Sequence, residues 1–172
     1  MKYFDEIKKS MEYLAKNKNT VFLGQAVRVP GTAMFNTLRD IDKKRKIELP
    51  VAEEMQMGMS LGMALEGYLP VTIYPRWNFL LLATNQLVNH LDKISEISNN
   101  KINPQIIIRT AVGSIRPLDP QSQHKGDFSS PFKKMCKNID FYKITKANEV
   151  FSTYKKTFKS QTTQGDRGGG GS

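Results

Sequence analysis

The sequence predicts an α/β fold, a parallel sheet flanked by helices, and two observations predict it. Short β-branched apolar runs alternate with helix-forming segments along the 172 residues, a pattern typical of parallel sheets with crossover helices. The hydrophobic fraction of 39% and the charged fraction of 24% are close to globular averages, which excludes disordered, collagen-like and coiled-coil chains. In such a fold, ligands bind at the carboxyl ends of the strands.

The first half of the chain opens with an amphipathic, lysine-rich segment whose apolar residues recur at helical spacing. A β-rich run then stops at Pro30 and Gly31, where we expect a turn and the start of a ligand loop. The predicted elements are a helix over 3–16, a strand over 21–29, an exposed basic run over 43–46, a short apolar stretch over 47–51 and a helix over 52–66.

The second half of the chain repeats the alternation of strand and helix, and its sharpest strand signal is the β-branched run after Pro104. A long loop rich in Gly, Pro, Gln and Ser follows that run. The predicted elements are a strand after Pro70, a helix over 80–97, a buried strand over 104–110, a loop over 110–128, a short helix near 130–137, a strand over 141–144 and a final helix over 148–159. Residues 1–160 thus form one predicted domain, and residues 161–172 a flexible Gly/Ser-rich tail.

The helix over 52–66 contains two glycines on one face, Gly58 and Gly62. Each glycine costs about 1 kcal/mol of helix propensity relative to alanine, so we expect this face to pack very close to another backbone. Met55, Met59 and Met63 form a neighbouring stripe.

The composition argues against a membrane-spanning, disulfide-rich or zinc-binding protein. No apolar run reaches the roughly 18 residues of a membrane helix, and the amino terminus lacks the apolar middle of a signal peptide, so we expect a soluble, cytoplasmic protein. A single cysteine, Cys136, and two histidines are too few for a disulfide framework or a zinc centre. The net charge of +10 suits nucleic acid, an acidic partner or an anionic ligand and does not choose among them.

Glu53 and Glu54 begin the glycine-containing helix. One interpretation is that both are solvated acids, which are favourable at the positive end of a helix. The other is that one of them is a buried carboxyl group that shares a proton with a ligand heterocycle.

A loop after the third strand carries Tyr74, Trp77 and Phe79, with Arg76 among them. The aromatic rings either pack in the core or stack on a flat ligand, and Arg76 is a candidate for an anion. Arg109 ends the buried strand and His124 lies in the long loop after it; both are candidates for the same edge of the sheet, although each has a purely structural interpretation as well.

Several segments together resemble the pyrimidine-binding domain of thiamine diphosphate enzymes, as found in beta subunits of 2-oxoacid dehydrogenases of the pyruvate dehydrogenase type and in transketolase. LPVAEEMQMGMSLGMALEGYLP is similar to the family's Pro, two small or apolar residues and Glu before a glycine-containing helix. Three further segments resemble parts of this domain: its first strand (VFLGQAVRVPGTAMFNTL), its second core helix (TNQLVNHLDK) and its Pro-strand-Arg-Gly segment (PQIIIRTAVG). Gln123-His124 resembles the family's active-site pair. The helix pattern is filled by Pro50, Val51, Ala52, Glu53, Gly58, Gly62, Gly67 and Pro70.

This resemblance implies the thiamin diphosphate-binding fold and a role for each candidate. Glu53 is expected to face the aminopyrimidine ring of thiamine diphosphate, and His124 to stabilise or protonate the substrate-derived intermediate. By the same resemblance we expect Phe79 close to the pyrimidine and Trp77 and Arg76 as further cofactor-binding residues, with Trp77 as a substitute for the stacking aromatic residue. Arg76 stands where relatives have a stacking aromatic residue, and Lys125 where they have Ser.

The implied function is that of a subunit of a thiamine diphosphate-dependent 2-oxoacid dehydrogenase or decarboxylase. The family's GDG motif, by which its other domain binds diphosphate through Mg²⁺, is missing from the sequence. The resemblance therefore implies a diphosphate-binding, alpha-type partner subunit that holds Mg²⁺, in a hetero-oligomer acting on a small 2-oxoacid. A transketolase-like two-carbon transferase subunit and a non-catalytic binding or regulatory module remain alternatives. The resemblance ends near residue 160, where beta subunits are expected to continue into a further domain.

Overall fold

A computed structural model describes residues 2–113 and 119–165 and has an α/β architecture, as predicted. All the paired strands run parallel, in the order β2-β1-β3-β4. The strands are β1 Thr20–Gly24, β2 Lys46–Glu48, β3 Leu69–Ile73 and β4 Ile107–Arg109. The helices are α1 Tyr3–Leu14, α2 Ala33–Thr37, α3 Glu53–Leu65, α4 Trp77–Leu80, α5 Ile94–Ile97, α6 Ser129–Met135 and α7 Ala147–Gly165, with 3₁₀ turns at Lys43–Arg45, Leu81–Ala83 and Gln121–His124 and a π-helical segment at Gln86–Leu91.

Each face of the sheet is covered by its own hydrophobic core, because successive strand side chains point to opposite faces. The first core joins one face to α1 and α7, and the second core joins the other face to α3, α4 and α6. The first core contains Ile7, Met11, Leu14, Phe22, Val27, Leu38, Ile41, Leu69, Val71, Ile73, Ile107 and Val150. The second core contains Met57, Tyr74, Trp77, Leu80, Ala83, Leu87, Phe132 and Cys136.

Strand β1 is shorter than the predicted strand over 21–29, because the backbone leaves the sheet at its carboxyl end. Gly24 has a φ of +146°, and a Cβ there would lie 2.2 Å from the carbonyl oxygen of Ile73. Ala26 follows in the left-handed region, with a φ of 58°. The Glu48 carboxylate accepts hydrogen bonds of 2.6 Å from the backbone N–H groups of Ala26 and Arg28. The loop therefore begins at Gln25, and Glu48 holds it.

The predicted continuous helix over 80–97 is broken into several segments. Leu80, Ala83 and Leu87 still face the second core. Asp92 is fully buried and interrupts the helix, because it accepts a 2.7 Å hydrogen bond from the backbone N–H of Asn138. Its own carbonyl oxygen accepts a second 2.7 Å bond from the Asn138 side chain.

The predicted strand over 141–144 is wrong, since this segment has no regular structure. Ile139 and Phe141 pack on the second core, whereas Ile144 packs on the first. The Tyr3 hydroxyl also donates to the Ile144 carbonyl at 3.2 Å. The segment thus passes from one face of the sheet to the other and does not run alongside a strand.

The basic run over 43–46 is not uniformly exposed as predicted. Lys43 and Lys44 are exposed, but the Lys46 side chain is buried and donates to the Leu38 carbonyl at 2.9 Å. The Arg45 guanidinium is half-buried and donates to the carbonyl oxygens of Ala15, Asn17 and Thr20. Two of the four cations therefore stabilise the fold.

Helix α7 continues to Gly165, beyond the predicted end near residue 159. The rest of the predicted tail, over 166–172, lies outside the described residues. Within the described part of the chain, no helix is both long and apolar enough to cross a membrane.

Candidate functional site

The sheet order creates a crevice at one defined place. From β1 the chain goes to β2 on one side and then returns to β3 on the other. In open parallel sheets, ligands bind outside the carboxyl ends of the two strands where the order reverses. Here those ends are Gly24 of β1 and Ile73 of β3, and the predicted site residues follow them or face them.

Glu53 lies at this crevice, at the amino-terminal end of α3, and is only 2% exposed. Its Oε1 accepts a 2.9 Å hydrogen bond from Nε2 of Gln25, directly after β1. Glu54, its neighbour, is exposed. The solvated interpretation is therefore wrong for Glu53 and correct for Glu54.

Helix α3 is attached to the sheet through polar groups. The Gln56 side-chain amide donates to the Thr72 hydroxyl at 2.8 Å and to the Ile73 carbonyl at 3.0 Å. The Tyr74 hydroxyl donates to the Glu53 carbonyl at 3.3 Å, and burial raises the pKa of Tyr74 well above its usual range. These bonds fix the first turn of α3, and with it Glu53, over the end of β3.

The outer face of α3 is apolar and uncovered in the described structure. A Cβ at Gly58 or Gly62 would meet no atom within 4 Å. Met55 is 44% exposed and Met59 is 36% exposed. The predicted close backbone packing of this glycine face is thus absent within the described part of the chain.

His124 and Phe79 come together at the carboxyl-end edge, in the segments after β4 and β3. Their rings stack with centroids 5.1 Å apart and planes inclined by 21°. The Arg76 guanidinium donates from Nη1 to the His124 carbonyl at 3.2 Å. A Cβ at Gly113 would lie only 2.0 Å from that carbonyl oxygen, so the approach of the two loops requires glycine there.

Trp77 is placed differently from Phe79, although both follow β3. The Trp77 ring is 8% exposed and packs on Phe132 in the second core, with centroids 5.1 Å apart. Phe79 and Arg76 are half-buried at the edge of the sheet. The core-packing interpretation therefore describes Trp77, whereas Arg76, directly before α4, and Phe79, within α4, lie at the edge of the sheet.

Arg109 does not join His124. Its Nη1 donates to the Thr37 hydroxyl at 2.9 Å on the first-core side of the sheet. Burial lowers the pKa of Arg109, and the neighbouring Tyr154 and Tyr3 oppose that effect. The predicted convergence of Arg109 and His124 is therefore wrong, because the Arg109 side chain lies on the first-core side of the sheet with Thr37, Tyr3 and Tyr154.

Five buried polar atoms have no hydrogen-bond partner among the described residues: Gln86 Oε1 and Asp92 Oδ2 belong to the broken helix after α4, and three others belong to or adjoin the candidate residues Trp77, Arg109 and His124. These three are Asn78 Oδ1, Thr110 Oγ1 and His124 Nδ1. Buried polar groups normally have partners, and exceptions call for an explanation such as a missing ligand. These unpaired polar atoms, the buried Glu53 carboxyl group and the half-buried Phe79 ring all belong to segments that follow the carboxyl ends of strands.

The described residues bring no three His, Cys, Asp or Glu side chains together to hold a metal ion. Sequence reasoning missed Gln25, since no periodicity or motif distinguishes this residue within the VFLGQAVRV run. It also missed the contact of Gly113 with His124, because that contact joins two loops through space.

The chain is similar to several characterised proteins, although no protein-family model matches it. Over 127 residues it is 29% identical to pyruvate dehydrogenase E1 component subunit beta of Gracilaria tenuistipitata var. liui, covering 71% of this chain and 39% of that protein. Over 117 residues it is 28% identical to 2-oxoisovalerate dehydrogenase subunit beta of Bacillus subtilis (strain 168), covering 66% and 36%. Over 102 residues it is 32% identical to the chloroplastic pyruvate dehydrogenase E1 component subunit beta-4 of Oryza sativa subsp. japonica, covering 59% and 24%.

The chain thus spans less than two-fifths of the length of these relatives, with 39% as the largest share among them. The four-stranded parallel sheet agrees with the predicted pyrimidine-binding fold. The resemblance inferred from the sequence is confirmed: over about 70% of its length, this chain is similar to beta subunits of 2-oxoacid dehydrogenases.

Proposed function

We propose that the chain is a subunit of a thiamine diphosphate-dependent 2-oxoacid dehydrogenase or decarboxylase and supplies the pyrimidine half of a site shared with another chain. The observation that carries this proposal is the Glu53 carboxyl group, which is 2% exposed and hydrogen-bonded by Gln25 at the switch point of the sheet. The similarity to 2-oxoacid dehydrogenase beta subunits supports it.

Thiamine diphosphate supplies an electron sink for the bond next to the substrate carbonyl, which no amino-acid side chain provides. Glu53 holds a proton for exchange with the aminopyrimidine ring, because a buried carboxyl group positioned by one hydrogen bond suits general acid–base work. Gln25 and the Tyr74–Glu53 backbone bond keep that group in place. Phe79 contacts the flat ring, and Arg76 and Trp77, at the start of the same helix, support this contact.

His124 exchanges a proton with the substrate. Its ring is held against Phe79, and its buried Nδ1 has no partner in the described part of the chain. A positioned imidazole is the most common general acid or base near neutral pH. The stack orients the ring while the free nitrogen remains available to a ligand.

A diphosphate-binding, alpha-type subunit completes the site and holds Mg²⁺. The uncovered α3 face, with Gly58, Gly62 and exposed Met55 and Met59, adjoins the end of the helix that carries Glu53. An apolar face with small residues lets a second backbone approach closely. The proposed partner contacts this face, so the cofactor lies between the two chains.

Binding of thiamine diphosphate tests the proposal. The chain is co-expressed with a GDG-containing subunit, and calorimetry with Mg²⁺ compares the pair with each chain alone. Binding by the pair only is the expected result. Absence of binding in every combination contradicts the proposal and favours a cofactor-free regulatory module. Turnover of a ketose without turnover of any 2-oxoacid favours the transketolase-like alternative.

The domain division at residue 160 and the cytoplasmic location stay predictions. Two rice relatives are named as chloroplastic.

A further inference from the structure

Arg76 is a half-buried cation without an acidic partner at the carboxyl-end edge of the sheet. Its one hydrogen bond in the described structure joins Nη1 to the His124 carbonyl. Among the described residues, no Asp or Glu lies within ion-pair distance of it. A guanidinium has five N–H donors, so most of its capacity remains for a ligand.

Two described lysines that follow β4 in the chain have acidic partners. Lys125, next to His124, pairs with Asp119 at 2.6 Å. Lys143 pairs with Asp127 at 2.7 Å. Arg76 differs from both lysines in lacking a counter-ion of its own. Burying an uncompensated charge is unfavourable, so a ligand that supplies the opposite charge would be favoured here.

We propose that Arg76 binds a second carboxylate of the substrate, so that the substrate is a 2-oxoacid with an anionic group at its far end. This inference rests on the proposed function, since it places the acid beside His124 and Phe79. One guanidinium matches one carboxylate in charge and in its two-pronged geometry. A phosphate dianion calls for a second cation, and the adjacent Lys125 is paired with Asp119.

The carboxylate bound by Arg76 is not the one lost in decarboxylation. That group changes from an anion to neutral CO₂, so a cation beside it stabilises the ground state more than the transition state and slows the reaction. A carboxylate retained through the reaction has no such penalty. Arg76 therefore acts on specificity through the far end of the substrate.

Two five-carbon substrates test the inference. 2-Oxoglutarate and 2-oxopentanoate differ in having a carboxylate or a methyl group at the far end. The pair of co-purified subunits, saturated with thiamine diphosphate, is expected to have a higher kcat/KM for 2-oxoglutarate. In Arg76→Met, the ratio of the two kcat/KM values should fall by roughly ten- to a hundredfold, the effect of losing a charged hydrogen-bonded pair.

The ratio separates specificity from positioning. Arg76→Met also removes the bond to the His124 carbonyl, but this change affects both substrates and cancels in the ratio. Arg76→Lys should retain part of the preference because it keeps the charge. Arg39→Met is the matched control, since Arg39 is exposed and hydrogen-bonds to Asn36, and it should leave the ratio unchanged.

A binding measurement gives a readout that needs no turnover. Glutarate should bind the wild-type pair more tightly than pentanoate does, and Arg76→Met should abolish that difference in calorimetry. Equal binding of both acids by the wild type, or an unchanged substrate ratio in Arg76→Met, overturns the inference while 2-oxoacid turnover still supports the proposed function. Displacement of glutarate by inorganic phosphate at lower concentration than by acetate overturns the carboxylate assignment. Failure of the proposed function is different: no thiamine diphosphate binds and no 2-oxoacid is consumed.

Discussion

Nε2 of Gln25 lies 2.9 Å from Oε1 of Glu53 and donates a hydrogen bond to it. The two residues come from the carboxyl end of β1 and the first turn of α3, on either side of the crevice where the strand order reverses. Among the described residues, Gln25 is the group that hydrogen-bonds this carboxyl group. The amide thereby orients the carboxyl group without neutralising it by an ion pair.

Arg45 should be important for folding. Arg45→Met removes donors that satisfy three carbonyl oxygens around the end of α1, and unsatisfied acceptors are costly. We expect a loss of about 2 kcal/mol in the free energy of unfolding, measured with urea. Lys44→Met is the control, because Lys44 is exposed; an equal loss in both variants contradicts the role of Arg45.

Gly113→Ala should separate His124 from Phe79. The added Cβ would lie 2.0 Å from the His124 carbonyl oxygen, so the loop must shift. The ring of Phe79 moves the His124 proton resonances upfield while the rings are stacked, and the variant should lose this shift in NMR spectra. The exposed His90 is an internal control, and retention of the upfield His124 signal would show that the contact is not required.

Gly58→Ala should stabilise the chain alone but weaken its association with the diphosphate-binding subunit. A Cβ at Gly58 meets no atom of the described chain within 4 Å, so the free energy of unfolding should increase by about 0.5–1 kcal/mol. The same methyl group should weaken association with the diphosphate-binding subunit, measured by sedimentation velocity. Unweakened association would argue against α3 as the contact face.

Cys136 should react slowly with thiol reagents. Burial raises the pKa of its thiol to about 11, with a smaller contribution from Asp92. At pH 8 the folded chain should therefore hold roughly a hundredfold less thiolate than the unfolded chain. The labelling rate of the native protein should increase about tenfold for each pH unit up to about pH 11, and a plateau near pH 9 would contradict the raised pKa.

The fold was predictable because its strands and helices have clear apolar patterns. The site was harder to predict from such patterns, and α3 shows why. The buried side chains of α3 are Glu53, Gln56, Met57 and Ser60, mostly polar groups that bond to the sheet and to one another. Its uncovered face carries methionine and glycine. Hydrophobic periodicity assumes an apolar inner face, so it cannot distinguish Glu53 from Glu54.

The wrong strand over 141–144 has a related cause. The apolar residues of this segment are packed on the cores, as strand residues are. However, Ile139 and Phe141 contact the second core and Ile144 the first because the segment crosses between them, not because it lies in the sheet. A local pattern of apolar residues indicates that a segment is buried, but it does not indicate that the segment pairs with a neighbouring strand. The contact between Phe79 and His124 was likewise outside local reasoning, because it joins segments that follow two different strands.

Deuterium exchange at the thiazolium C2 of thiamine diphosphate, followed by NMR, tests the role of Glu53 most directly. In the co-purified pair, Glu53→Gln should slow exchange by about two to four orders of magnitude, the usual contribution of a positioned acid or base. Glu54→Gln is the matched control and should leave the rate unchanged, because Glu54 is exposed. Exchange in Glu53→Gln as fast as in the wild-type pair would contradict the account.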